Sequence, residues 1–335
     1  MKYGLCLPIF ANPGAIHFRT PGLKKVDWEL IEKIAIYADK NNFNSLFIAD
    51  HLSLGQNDKI YECMTTLSAI AAITENIKLF PIHLCNSFRN IYLCANQIMT
   101  IQDISKGRMG VFYDYGWREK EFNSYKYQFK NKELRISEMD ESIGILKELL
   151  SENTSINNGI HPTIGFSKQS KTEIWMGEAN NRSMVKSIVK HADVFNSMPC
   201  SVEAISEKIK TIYNEAFNQS RDIESIGISL ETQLLVRESE KEVKDAIQYL
   251  LSLKKFNKSD DQDIITQLKE VDPDFSSNPS YEILQRNYLI GTPSQINDKI
   301  TAYKNIGVQH FMLWPLDVPD FTSIKLFAEY FVNSK

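Results

Sequence analysis

"WELIEKIAIYADKNNFNSLFIADH", residues 28–51, carries two hydrophobic periods back to back. In its first half Leu30, Ile34 and Tyr37, with Ile31, Ala35 and Ala38, recur at the spacing of one helical face. The second half is apolar at nearly every position from 45 to 49, which suits a strand buried on both faces of a parallel sheet. A helix feeding such a strand is half of a βα repeat. The strand then ends on two polar groups, Asp50 and His51.

The same alternation extends in both directions. Strands are expected at 3–9, 45–50, 77–84, 108–114, 172–177, 193–198, 226–236 and 309–315, with helices at 28–41, 61–75, 88–104, 133–150, 181–191, 202–218, 240–253 and 293–305. A final helix at 320–333 would close the outer ring. Eight βα units in one chain of this length predict a closed (β/α)8 TIM barrel, an α/β fold, because open doubly wound sheets usually stop at five or six strands. The whole of 1–335 is expected to be one domain. Two long polar stretches, 115–132 and 254–290, are expected as loop insertions at the C-terminal face, where barrel enzymes build their sites.

Composition narrows the function. Hydrophobic residues make up 43% of the chain, enough for a large core, and the 38 Lys and Arg are outnumbered by 42 Asp and Glu, which gives no nucleic-acid footprint. The five cysteines (Cys6, Cys63, Cys85, Cys94, Cys200) are odd in number and have no C-x-x-C pair, so they are read as buried free thiols of a reducing compartment. No apolar run approaches the ~18 residues of a membrane span and the N-terminus has no signal pattern, so a soluble, cytoplasmic protein is expected.

In a barrel the chemistry stands at the strand ends. Those ends offer Pro8, Asp50, His51, His83–Asn86, Asp114–Trp117, Gly177–Asn181, Asn196–Met198, Glu231, Gln233 and Trp314. Mixed polar and aromatic groups suit a planar conjugated ligand that is stacked and hydrogen-bonded at its edges. His51 has two readings, an imidazole exchanging protons at the barrel mouth or a cap on the following loop. His17, His83, His161, His191 and His310 form no H-E-x-x-H pattern, so no metal site is expected. Gly177 and the small or polar residues after it precede a helix, which is either a phosphate cradle or an ordinary Asn-capped turn. Gly291, Thr292 and Pro293 read as a structural helix start. Asp114 ends a core strand between two tyrosines, where an unpartnered carboxylate is costly unless it is used.

Several stretches together resemble the luciferase-like flavin and deazaflavin oxidoreductases: "FNSLFIADH" (43–51), "LSAIAAITENIKL" (67–79), "FRNIYLCANQIMTIQDISKGRMGV" (88–111), "GWREKEF" (116–122), "KHADVF" (190–195) and "LIGTPSQINDKITAYKNIGVQHFML" (289–313). They stand in the family's order over most of the chain. The resemblance implies a barrel enzyme, often a homodimer, that takes reduced FMN or the deazaflavin coenzyme as a diffusible co-substrate, with a separate flavin reductase as supplier. It places His51 as the catalytic histidine with Asp50 as its acidic neighbour. It also puts Leu84, Cys85 and Asn86 at a turn that often carries a non-prolyl cis peptide against the flavin, and Ala179, Asn180 and Asn181 on the phosphate turn with Gly177.

The departures concern two acids. Relatives carry a glycine-rich run where this chain has Phe112 and Asp114, and bacterial luciferase's α subunit has a cysteine at the place of Asp114. Glu178 sits beside the phosphate turn, where a second anion repels unless it points away. The expected function is a monooxygenase using reduced FMN and O2 on a small organic substrate. The alternatives are a flavin- or deazaflavin-dependent hydride-transfer enzyme and a non-catalytic flavin-binding protein. Beside an anionic reduced flavin, Asp114 must be paired or neutral, which a cationic substrate such as an amine would achieve; otherwise it acts as a general base or accepts loop amides.

Overall fold

Helix α1 (Trp28–Lys40) starts where Asp27 caps it, accepting from the Glu29 amide, and buries Ile31, Ile34, Ala35 and Ala38. Those are four of the six residues of the stripe read from sequence; Leu30 and Tyr37 are half-buried beside them. Strand β2 (Ser45–Ala49) follows and is buried at every position. The unit repeats through the computed structural model, whose described residues are 1–15, 19–151, 171–253 and 281–334.

The strands are β1 (Lys2–Cys6), β2, β3 (Lys78–Ile82), β4 (Leu84–Cys85), β5 (Val111–Asp114), β6 (Ile174–Met176), β7 (Val194–Ser197), β8 (Gly227–Val236), β9 (Leu289–Gly291) and β10 (His310–Pro315). All named pairings are parallel, in the order β3-β2-β1-β10-β8-β7-β6-β5-β4. The ring closes where Leu79 exchanges backbone hydrogen bonds with Arg108 and Gly110, and where Leu84 and Cys85 pair with Tyr113 and Asp114. The expected strand 77–84 is thus one barrel strand broken at His83, and the eight-stranded (β/α)8 barrel is observed. Its outer ring includes α2 (Cys63–Ile73), α3 (Ile91–Ile104), α5 (Lys132–Leu149), α6 (Arg182–His191), α7 (Val202–Asn218), α8 (Glu240–Ser252) and α10 (Pro293–Asn305), each within a few residues of its expected range. The last helix, α11 (Thr322–Phe327), runs on through Ala328–Val332 with wider π-type turns.

The barrel interior is an aromatic stack. Phe47 and Phe80 lie 5.3 Å apart, Phe80 and Trp175 5.0 Å, and Trp175 meets His310 edge-on at 4.8 Å. Gly110 makes room for it, since a Cβ there would fall 2.0 Å from the Phe80 ring. Near the floor, His310 shares hydrogen bonds with Ser45 and Ser229 at 2.9 and 3.5 Å, and burial drives its pKa down to about 3.

Two expected loops contain structure. Within 115–132 lies the short helix α4 (Glu119–Ser124). Of 254–290, residues 254–280 fall outside the described residues, as do His17 and His161; the remainder forms α9 (Tyr281–Asn287) and part of β9, which pairs with the end of β8. That extra strand was hidden because three apolar residues give no period of their own. All five cysteines are buried free thiols. Among the described residues no helix is long and apolar enough to cross a membrane.

Candidate active site

His51 stands two residues beyond the β2 end, and what orients it comes from the loop after β5. Its Nδ1 lies 2.9 Å from Oε2 of Glu121 on α4. The second Glu121 oxygen accepts the amides of Leu52 and, at 2.9 Å, Ser53. Arg118 donates to the Ser53 carbonyl, and the Tyr125 hydroxyl donates to the Leu52 carbonyl at 2.7 Å. The 115–132 segment is therefore clamped onto the 51–53 turn. Glu121 is 1% exposed; burial opposes its ionisation, but the His51 ring and the two amides outweigh that and hold its carboxyl below the usual range. With Nδ1 engaged, Nε2 is the ring atom left for chemistry.

Asp50, expected as the acidic neighbour of His51, borders the same cleft but is not the carboxylate bonded to it. The carboxylate bonded to His51 is Glu121, while Asp50 is paired with Arg89 and accepts the Cys85 amide at 2.9 Å. Both residues border the same cleft, but their side chains take different partners. Burial raises the Asp50 pKa, partly offset by Arg89 and by that amide. Asp50 is a buried tie between β2 and the turn after β3.

His51, His83, Cys85, Asp114, Trp117 and Glu121 line one small cleft at the C-terminal mouth, with Asp50, Phe88, Gly116 and Phe122. Trp117 stands edge-on to His51 at 5.8 Å. Asp114 accepts the Tyr115 amide at 2.6 Å and forms no ion pair among the described residues. Burial pushes the Cys85 thiol well above its ordinary pKa, so it is not a thiolate.

Leu84, expected beside a cofactor, is fully buried in the core, and Asn86 accepts from the Tyr113 hydroxyl at 3.2 Å. The non-prolyl cis bond on this side of the barrel joins Ile82 to His83, upstream of the expected turn. Of Leu84, Cys85 and Asn86, Cys85 is the one that lines the cleft around His51.

At the proposed phosphate turn the geometry differs again. A Cβ on Gly177 would meet the Asn196 carbonyl at 2.1 Å, so that glycine serves strand packing. The Ala179 amide is taken by the Glu178 carboxylate at 2.8 Å, whose other oxygen accepts the Met198 amide at 2.8 Å and Lys208 at 2.9 Å. Glu178 is thereby neutralised. Asn181 caps α6 by accepting from the Met184 amide at 2.7 Å. Asn180 and Arg182 are exposed at this helix start.

A second cluster occupies the mouth. The fully buried Glu231 binds Arg19 and, at 2.7 Å, the Trp314 indole, and its other oxygen lies 3.7 Å from His83 Nε2. Glu231, His83 and Trp314 were visible as strand ends, whereas Arg19, Arg89 and Glu121 were not singled out. Glu121 did have a signal, the acid of "GWREKEF".

The luciferase-like monooxygenase family model matches residues 1–310. FMNH(2)-dependent dimethylsulfone monooxygenases of Pseudomonas putida and Pseudomonas fluorescens (strain Pf0-1) are each 23% identical, over 85% of this chain and 83% and 82% of their own lengths. In fold, the chain is similar to EDTA monooxygenase from Chelativorans sp. BNC1, with a TM-score of 0.76 at 16% identity over 99% of this chain and 92% of the other. An F420-dependent secondary alcohol dehydrogenase gives 0.73 at 16% identity over 98% and 97%. A match of that extent, on a barrel of this kind, means that the chain belongs to the luciferase-like monooxygenase family.

Proposed function

We propose that the chain is a monooxygenase that uses reduced FMN and O2 to oxidise a small organic substrate at the cleft around His51. The observation that carries this reading is the His51–Glu121 pair, a histidine fixed through one ring nitrogen at the mouth of the barrel. The FMNH(2)-dependent relatives at 23% identity favour FMN over deazaflavin.

The residues present fit a flavin. The cleft joins aromatic faces, Phe88, Phe122 and Trp117, to hydrogen-bonding edges. At the start of α6 Asn181 takes the Met184 amide, and the exposed Asn180 and Arg182 stand at the same helix start, a setting for a phosphate that begins one turn later than Gly177 and Ala179. Asn180, Asn181 and Arg182 would hold that phosphate, and Cys85 and Asp114 would border the ring. Reduced FMN, when bound, supplies the two electrons that activate O2. His51 would give or take a proton at Nε2, Glu121 keeps the ring in place, and Trp117 and Phe122 exclude water.

Hydride transfer with a deazaflavin coenzyme is the second reading, favoured by the acid–base pair and Asp114 sharing one cleft. On either reading a homodimer is expected, and on the first a separate flavin reductase. The test supplies the protein with reduced FMN from such a reductase and 18O-labelled O2, with candidate substrates. A labelled oxygen atom in a product supports the monooxygenase; substrate conversion without label, under anaerobic conditions with deazaflavin, supports the second reading instead.

A further inference from the structure

Glu231 carries a polar atom that the fold leaves unserved. Its side chain is fully buried, and one oxygen takes both the Arg19 guanidinium and the Trp314 indole N–H. The other, Oε2, is buried with no hydrogen-bond partner among the described residues. His83 Nε2, 3.7 Å away, lies beyond hydrogen-bond reach. A buried carboxylate oxygen left so placed keeps its full desolvation penalty, so a donor is missing.

His83 does not become that donor by gaining a proton. Burial lowers its pKa, and the pull of Glu231 and Asp114 in the other direction does not overcome this. The imidazole is therefore neutral between two carboxylates that both act on it. Of these, Glu231 is balanced by Arg19. Asp114 is not balanced by any ion pair among the described residues. The other charged side chains near it are already engaged, Asp50 with Arg89, Glu121 with His51, and Arg135, which feels the Asp114 charge without pairing with it, with the Gly116 and Lys130 carbonyls.

The mouth thus has one unfilled acceptor and one surplus negative charge beside the same histidine. A neutral alcohol or amide would fill the acceptor and leave the charge; an anion would be repelled by both groups. An ammonium group answers both. We infer that Glu231, Asp114 and His83 form the recognition site for an alkylammonium group on the substrate, a primary or secondary amine. This rests on the flavin-dependent reading of the cleft and adds its substrate class.

Calorimetric titration with n-butylammonium, 1-butanol and butyrate compares three charges on one skeleton, using the protein with and without FMN. The wild type is expected to bind butylammonium at least about 10-fold more tightly than butanol. Glu231→Gln and Asp114→Asn should each remove that preference, and Glu231→Gln should leave FMN affinity within about threefold. Thermal melts report folding, and if Glu231→Gln does not fold, Glu231→Asp and Asp114→Asn carry the test. The inference is overturned if butylammonium and butanol bind alike, if butylammonium fails to bind by about 50 mM, or if both variants keep the preference. It is equally overturned if Glu231→Gln weakens FMN instead, since the oxygen then serves the flavin. Failure of the wild type to bind FMN rejects the flavin reading separately, with the charge preference still measured.

Discussion

Glu121 gathers the His51 ring and the amides of Leu52 and Ser53 around one buried carboxylate, so the orientation of the histidine depends on an acid 70 residues away. Removing the histidine and removing its support should differ. His51→Ala is expected to lower turnover by about 10²-fold or more with FMN affinity little changed; a loss within about twofold would make His51 a loop residue only. Glu121→Gln should reduce kcat more than it changes KM, because a misdirected ring still allows binding. The buried Asp50–Arg89 pair carries a stability prediction. Arg89→Met leaves a buried carboxylate without its cation and should cost about 3 kcal/mol in urea unfolding; a cost under about 0.5 kcal/mol would mean the pair is screened like a surface bridge. These roles were only partly legible. Asp50 stands next to His51 in sequence and borders the same cleft, yet its carboxylate is taken by Arg89 and the Cys85 amide, and the acid that does bond to His51 arrives through a loop whose path no periodicity records.

At the scale of elements, close approach decides more than propensity does. A methyl group on Gly177 would collide with the backbone of β7, which cannot yield as a side chain end can. Gly177→Ala should therefore destabilise the protein by about 2 kcal/mol and disturb the α6 start; an unchanged melting temperature would show that the two strands separate freely. The barrel floor gives a pH dependence of definite sign. His310 is held neutral, its pKa lowered from 6.5 to about 3 by burial, with Lys2 and Lys78 adding to the effect. Between those values the unfolded chain binds a proton that the native state refuses, so stability is full above about pH 6.5 and falls as the pH drops toward 3. His310→Gln should flatten that part of the stability curve. Helices and buried strands were legible to within a few residues because their periods are strong. The break at His83 and the short β9 were not, since each departs from a period over only a few residues.

For the whole molecule, the barrel was legible because eight βα units leave few alternatives, and the site's general place followed from it. The identity of the acids and their partners was not, because every decisive pair joins residues distant in sequence: Arg19 with Glu231, His51 with Glu121, Glu178 with Lys208. We propose that this mouth holds a flavin in its reduced form. Anaerobic titration of the apoprotein with FMN, reduced FMN and deazaflavin, followed by optical spectra, tests it most directly. Reduced FMN should bind in the micromolar range and more tightly than the other two; failure of all three to bind below the millimolar range would contradict the account.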